Sequence, residues 1–550
     1  MPSPHKALLA LGLAIAIWVV AVAPRGLYSG DSGVKLAQTY ALWSSGFTTR
    51  ALPAHPELDP AGDFMAYGEF KRRVDGEWQG IYSLSFTALS APMLGAFGMA
   101  GLPILPLLGT LLVLAGTFAL ARRIGCAPWW AVAISAVTVF ATPVLLYSSQ
   151  LTEHTLATGL VTWALALVVP DRETASPRRD LVAGVLVGFA ATVRPECYLA
   201  IAAIGIASIV PPWTSRSVAI QRGALYAAGA LAMLVPYWLL NLRLSGTWDP
   251  LVTFQEGAAA SWTTLGLFLV GATRAPVTGI YIAFALCLVS GALPASWLRR
   301  LHVQLATTLL LAVVVGLSIM VALKSWHGTT GLFHVTPLAI VGLWAGGRSS
   351  AARRLWIGTA LLLVAVLVLN RSNDAGGLQL GSRILMPVLP ALLCLGGAHL
   401  QALREERPAL ALRFAHLIAI AGLAALTAIA MARGMPESHS IVRNNDGAVE
   451  VATRAGPRVV VTTVWWQSQV LAPLLLDGKV LLLARDAVQL QRLIEQLRDR
   501  GVSDFLLIEQ GRPSPAPPGT ELAPDGQTRL PFGGEGMMYL RTMRIARAAP

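Results

Sequence analysis

A small set of side chains at the edges of apolar segments could move a proton or hold a phosphate. Asp31 follows the first apolar run, inside Gly30-Asp31-Ser32-Gly33-Val34-Lys35. Glu153 and His154 follow Tyr147-Ser148-Ser149-Gln150-Leu151-Thr152. Arg194-Pro195-Glu196 lies at a tight turn between two short apolar runs. Lys324-Ser325-Trp326-His327-Gly328 ends another run, and Gly376-Gly377-Leu378-Gln379-Leu380-Gly381-Ser382-Arg383 precedes Ile384 to Pro390. A carboxylate can take a proton from an attacking hydroxyl. Arg meets phosphate with a fork of N–H donors, and Lys meets it as a point charge. Such a set suits an anionic substrate attacked by a hydroxyl.

Each position also has a plainer reading. Asp31 could cap a helix running from Ser32 to Trp43, with Lys35 as its i+4 partner. Glu153 could be a solvated rim residue, although a helix continuing directly over Thr155 to Val169 would hold it on a rigid element. Arg194 and Glu196 could pair with each other to close their turn. His327 and His334 stand seven apart without a third ligand nearby, which argues against a metal site there.

The elements that must position these residues are membrane helices. The chain has 550 residues, 55% hydrophobic and 13% charged, whereas soluble domains carry about 25% charged residues. Apolar runs separated by short polar breaks indicate a polytopic α-helical membrane protein. About 13 spans are expected, near 7–23, 102–121, 129–147, 154–170, 180–194, 197–212, 223–240, 277–293, 303–322, 332–346, 355–370, 384–400 and 412–432. Lys6, followed by the apolar run Ala7 to Ala23, imitates a secretory signal, but Pro24 at the would-be junction favours an uncleaved first helix. The four cysteines (Cys126, Cys197, Cys287, Cys394) show neither a disulfide framework nor metal-ligand spacing.

The net charge is +13. Basic residues that accumulate in cytoplasmic loops explain it better than a nucleic-acid partner, so no nucleic acid is expected. With the N-terminus inside, the inside short loops hold sixteen Lys and Arg and the opposite loops six. This bias keeps 180–194 and 197–212 as separate spans. It puts the first loop, residues 25–101, on the outer face with Glu153, Arg194, Glu196, Lys324 and Arg383. Residues 82–100 read as an interfacial helix of that loop.

A membrane part is therefore expected over residues 1–433 and a small outer α/β domain over 434–550. In the latter, strand patterns at Arg458–Thr463, Lys479–Leu483 and Asp504–Ile508 enclose a helical pattern at Asp486–Arg500. Gly511 to Gly526 reads as a loop, and Tyr539 to Ala546 as a closing strand. No Gly-rich phosphate loop or nucleophile elbow occurs there, so support or acceptor recognition suits this domain better than catalysis.

The ordered motifs resemble the GT-C class of membrane glycosyltransferases, the group containing protein O-mannosyltransferases and aminoarabinose transferases. The resemblance rests on Gly30-Asp31-Ser32-Gly33, Tyr147 to Glu153, Arg194-Pro195-Glu196, Asn241 to Pro250 and Gly377 to Pro390. It implies a polyprenyl-phosphate sugar as donor and transfer to a lipid, glycan or protein acceptor on the outer face, with inversion. It implies Asp31 as general base, Glu153 as the second acidic position, and Arg194, Arg383 and Lys324 as ligands of the donor phosphate. Lys35, Tyr147, His154, Glu196 and His327 are then expected around the substrate pocket. The class leaves room for a divalent metal as cofactor. Here Asp31-Ser32 stands in place of two adjacent acids, Ser382 where the class often has Pro, and Ile384 where it often has an aromatic.

The competing readings are a polysaccharide ligase using a diphosphate-linked donor, a lipid-sugar transporter or flippase, and a non-catalytic assembly protein on the same scaffold. A ligase usually carries its large outer loop late, whereas here it is early. A transporter usually shows repeats and midplane charges, whereas here the charges gather at one rim.

Overall fold

A computed structural model describes residues 3–22, 26–169, 176–210, 216–246, 331–346, 349–369, 380–405, 410–532 and 536–546, with six positions between 284 and 292. The expected spans at 277–293 and 303–322 lie largely or wholly outside these residues, and Lys324 and His327 lie outside them too.

In chain order the elements are α1 (Pro4–Val22), α2 (Gly30–Ser44), the strands β1 (Lys71–Val74) and β2 (Glu77–Gly80), α3 (Leu84–Phe97), α4 (Ile104–Arg123) and α5 (Pro128–Phe140). Then come α6 (Val144–Tyr147), α7 (His154–Val168), α8 (Pro177–Val193), α9 (Cys197–Ile209) and α10 (Arg216–Ser245). Beyond residue 331 follow α11 (Leu332–Val335), α12 (Ile340–Ala345), α13 (Ser350–Leu369), α14 (Leu389–Glu405) and α15 (Leu410–Arg454). The chain ends with β3 (Val459–Thr462), α16 (Trp465–Val470), β4 (Val480–Leu483), α17 (Ala487–Asp499), β5 (Asp504–Gln510), β6 (Thr520–Phe532) and β7 (Gly536–Ile545).

Seven of the described helical segments are long and apolar enough to cross a membrane, and α5, α7 and α9 are shorter apolar helices. The molecule is a polytopic helical membrane protein. Its described helices follow the expected spans except at three places. The span expected at 129–147 is broken before Val144 into α5 and α6. The span expected at 332–346 is broken into α11, a 3-10 turn at Pro337–Ala339 and α12. The span expected at 384–400 opens as a 3-10 turn, Arg383–Val388, before α14. Pro337, Pro387 and Pro390 are the physical cause of the last two breaks, because proline lacks the N–H and crowds the preceding turn.

The chain divides into two compact units: Met1–Ala21, Leu105–Ser148 and Thr152–Met435 form the first, and Val22–Ile104, Ser149–Leu151 and Pro436–Pro550 the second. Residues 25–101 thus group with the C-terminal segment rather than with the other membrane helices. The boundary expected at 433/434 falls inside the continuous helix α15.

In the first unit, small residues let helices approach closely, as in membrane bundles generally. A Cβ on Gly184 would lie 2.0 Å from the Tyr226 carbonyl oxygen, and one on Gly229 would lie 2.2 Å from that of Leu181. Gly109 of α4 and Gly159 of α7 seat those two helices in the same way. Two arginines gather at one end of α7. Arg123 donates to the carbonyls of Ala166, Leu167 and Val169, the favourable place for a cation at a helix C-terminus. Arg222 donates to the Val168 carbonyl and to Asp180, the latter at 2.8 Å. Replacing Gly184 by Val should force α8 and α10 apart and cost about 1–3 kcal/mol. Thermal unfolding in detergent measures this, and an unchanged melting temperature would contradict the packing.

In the second unit, five strands form one sheet in the order β4-β3-β5-β7-β6. β3 pairs in parallel with β4 and β5, while β7 pairs antiparallel with β5 and β6. Helix α17 lays Leu490, Leu493, Ile494 and Leu497 on the sheet core with Val461, Leu482, Phe505 and Leu507. Asp486 caps it, accepting from the Gln489 N–H at 2.8 Å. Phe64, from the first loop, belongs to the same core, and Met65 bridges to Leu482 of β4. The stretch read as a loop, Gly511 to Gly526, ends inside strand β6. Its Pro524-Asp525-Gly526 falls in a register shift between Leu522 and Gln527, on an edge strand where proline is tolerated.

Candidate functional site

The first unit gathers charge at the N-terminal end of α7. Glu153 occupies the residue before that helix, and its carbonyl accepts from the Ala157 N–H at 3.0 Å. Arg194 ends α8 in extended backbone, with φ −143° and ψ 117°. The guanidinium donates through Nη1 to Glu153 Oε1 at 2.6 Å and through Nη2 to Glu196 Oε1 at 2.6 Å. Nη1 also lies 3.3 Å from His154 Nε2, which can only accept from it. The side chains of Arg194, Glu153 and Glu196 are 11%, 7% and 24% exposed. A lone buried charge is costly, and the two carboxylates offset that cost for Arg194.

Two further expected residues join this cluster. The Tyr147 ring lies 5.4 Å from that of His154, and its hydroxyl is 3.5 Å from the Leu380 carbonyl oxygen. Arg383 is buried at the head of its 3-10 turn. The preceding Gly381 has φ +69°, the left-handed region that glycine occupies readily. Sequence reasoning did not anticipate the groove that adjoins these charges. It is a small groove of about 10 Å³, lined by Arg194, Glu196, Cys197, Leu362, Val366, Ile384, Leu385 and Pro387. Two charged side chains thus border an otherwise apolar groove between α9, α13 and the Arg383–Val388 turn.

Asp31 and Lys35 belong to the second unit. The helix begins two residues earlier than expected: Ser29 precedes it, the Ser32 N–H bonds to the Ser29 carbonyl at 3.1 Å, and Asp31 sits in the first turn rather than at the cap. A carboxylate there faces the positive end of the helix dipole. The flanking glycines serve close packing. A Cβ on Gly33 would lie 1.8 Å from the Gln469 carbonyl oxygen, and one on Gly30 would lie 1.9 Å from the Gln469 side chain. Asp31 is half-buried, whereas Lys35 is buried with Nζ 4.5 Å from the centre of the Tyr82 ring. Tyr82 stacks on Phe70, which stacks on Trp465. Gln469 and Trp465 carry no signal in the sequence that would link them to Asp31.

Among the described residues no group of three or more His, Cys, Asp or Glu side chains could hold a metal ion. Asp31 is the one carboxylate of its turn, and neighbouring Ser32 is wholly buried. That donor set does not fit a divalent ion.

The fold is similar to that of a solved GT-C membrane glycosyltransferase. The chain superposes on ArnT from Cupriavidus metallidurans, solved bound to undecaprenyl phosphate, with TM-score 0.51 and 12% identity over 97% of each chain. The oligosaccharyltransferase AglB from Archaeoglobus fulgidus, in complex with an inhibitory peptide and a dolichol-phosphate, matches with TM-score 0.48 and 12% identity over 91% of this chain and 69% of its own. No family model matches the chain, and no curated protein matches it in sequence. At these identities the likeness is one of fold.

Proposed function

We propose that this protein is an inverting glycosyltransferase. It moves a hexosyl or pentosyl group from a polyprenyl-phosphate donor to a lipid, glycan or protein acceptor on the outer face of a cell membrane. The observation that carries this reading is the buried guanidinium of Arg194, held by Glu153 and Glu196 beside a small apolar groove. A polyprenyl-phosphate donor presents a phosphate, and a guanidinium is the side chain whose fork of N–H donors suits it. The ArnT fold supports the same reading.

The acceptor oxygen forms a bond to the anomeric carbon while the carbon–oxygen bond to phosphate breaks on the opposite face. Asp31 takes the acceptor proton. The leaving group is a phosphate anchored in lipid, so it needs cations rather than a general acid. Arg194 and Arg383 supply them. Glu153, rigid at the head of α7, fixes the orientation of Arg194. His154 and Tyr147 back the same guanidinium from the side. The N-terminus lies in the cytoplasm and the C-terminal segment outside, in accord with the loop charges.

The test uses purified full-length protein and cells lacking it. Expected results are protein-dependent release of polyprenyl phosphate from a radiolabelled polyprenyl-phosphate sugar, and loss of one sugar from the lipid and glycan profile of the deletion strain. No release with any such donor, together with an unchanged profile, would reject the reading.

A further inference from the structure

We infer that Glu196 is an internal stand-in for the donor phosphate, occupying Arg194 in the empty protein and leaving it when the lipid arrives. The inference rests on the reading of Arg194 as a phosphate ligand. Its starting point is electrostatic. Arg194 already bonds two carboxylates, each at 2.6 Å. A phosphate brought to the same guanidinium would meet both at close range, and like charges in a site with little water repel strongly. One carboxylate must give way for the phosphate to bind.

The two carboxylates are not equivalent. Glu153 is 7% exposed and stands at the head of α7, its Oε1 held by Nη1, the same nitrogen that faces His154. Glu196 is 24% exposed and lines the groove itself. It stands in the short turn between α8 and α9, where the Cys197 N–H bonds back to the Arg194 carbonyl at 3.0 Å. Among the described residues its second oxygen, Oε2, is buried without a hydrogen-bond partner, a property that does not distinguish it from Glu153. Leaving such an oxygen unsatisfied is costly. Rotation of Glu196 out of the groove therefore gives up one bond and rehydrates a carboxylate that is only half satisfied. It also frees Nη2 of Arg194, the nitrogen that donates to Glu196. A phosphate oxygen that reaches this nitrogen replaces the carboxylate oxygen as acceptor. No covalent bond changes.

The arrangement makes the empty site electrically balanced, with Glu153 and Glu196 set against Arg194 and Arg383. It also makes donor binding an exchange of anions, so affinity is lower than the guanidinium alone would give. Removing the competing carboxylate should therefore tighten binding. A merely structural role for Glu196, closing the turn, gives the opposite sign.

The test measures equilibrium binding of undecaprenyl phosphate to the full-length protein in lipid nanodiscs. Glu196→Gln and Glu196→Ala are expected to bind about tenfold tighter than the parent, the factor expected of one charge-assisted hydrogen bond in competition. Glu196→Asp retains the charge and should bind like the parent. Melting temperatures establish that the variants are folded. Equal or weaker binding in both Glu196→Gln and Glu196→Ala, with Arg194→Gln still impaired, overturns the exchange while leaving the phosphate site intact. If Arg194→Gln binds as well as the parent, the phosphate site itself is elsewhere.

Discussion

Asp31→Asn is expected to abolish sugar transfer and leave the protein folded. Loss of a positioned general base typically costs about 10²–10⁴ in rate. Asn has the shape of Asp and cannot accept a proton from an attacking hydroxyl. The local structure should survive because other residues carry it. Helix α2 is held through the close approach of Gly30 and Gly33 to Gln469, through Gln38, whose amide donates to the Gly80 carbonyl at 3.3 Å, and through the buried Lys35 against Tyr82. In the first turn of α2 the carboxylate interacts favourably with the helix dipole, worth about 0.3–1 kcal/mol. Transfer from a radiolabelled polyprenyl-phosphate sugar is the readout, and unchanged undecaprenyl phosphate binding is the control. Full activity in Asp31→Asn would remove this residue from the mechanism.

The second large effect concerns Arg194. Arg194→Gln should lose both stability and donor binding, because the guanidinium neutralises two carboxylates and serves the phosphate. Glu153 is 7% exposed, so deleting its partner strands a buried charge. Breaking a buried pair from one side costs about 3–5 kcal/mol, mostly through the charge left behind. That origin makes a further expectation. Adding Glu153→Gln to Arg194→Gln should recover much of the lost melting temperature, since the stranded charge is gone. Donor binding should stay lost, since the phosphate ligand is still absent. The coupling is read from a double-mutant cycle in thermal stability. A double variant no more stable than Arg194→Gln would show that Glu153 does not depend on Arg194 for its charge.

The membrane class was legible in the chain because hydrocarbon demands long apolar helices, and composition and run length report that directly. The separation of α8 from α9 was legible through the loop charges. The interruptions at Pro337, Pro387 and Pro390 were visible as residues but not as broken helices, since proline in an apolar run can also be absorbed by a kink. Strand β6 was hidden because a Pro-Asp-Gly bulge looks like a turn until its edge position is known.

The candidate residues were legible by type and by place at helix ends. Their pairings were not. Arg194 and Glu196 lie two apart, and the sequence suggests their bond. Glu153 lies 41 positions from Arg194, and its bond to the same guanidinium comes from the packing of α7 against α8. Lys324 and His327 remain expectations from sequence alone.

What the sequence by itself determined was a polytopic membrane helix protein with carboxylates and arginines gathered at helix ends, because those features follow from local composition. Only the tertiary structure decided that Arg194 is shared between two acids beside a small apolar groove. The same holds for the first loop, which lends Phe64 to the C-terminal sheet and seats the Asp31 helix on Gln469. Those contacts join residues hundreds of positions apart. They depend on close approach and buried charge balance, which exist only once the chain has packed.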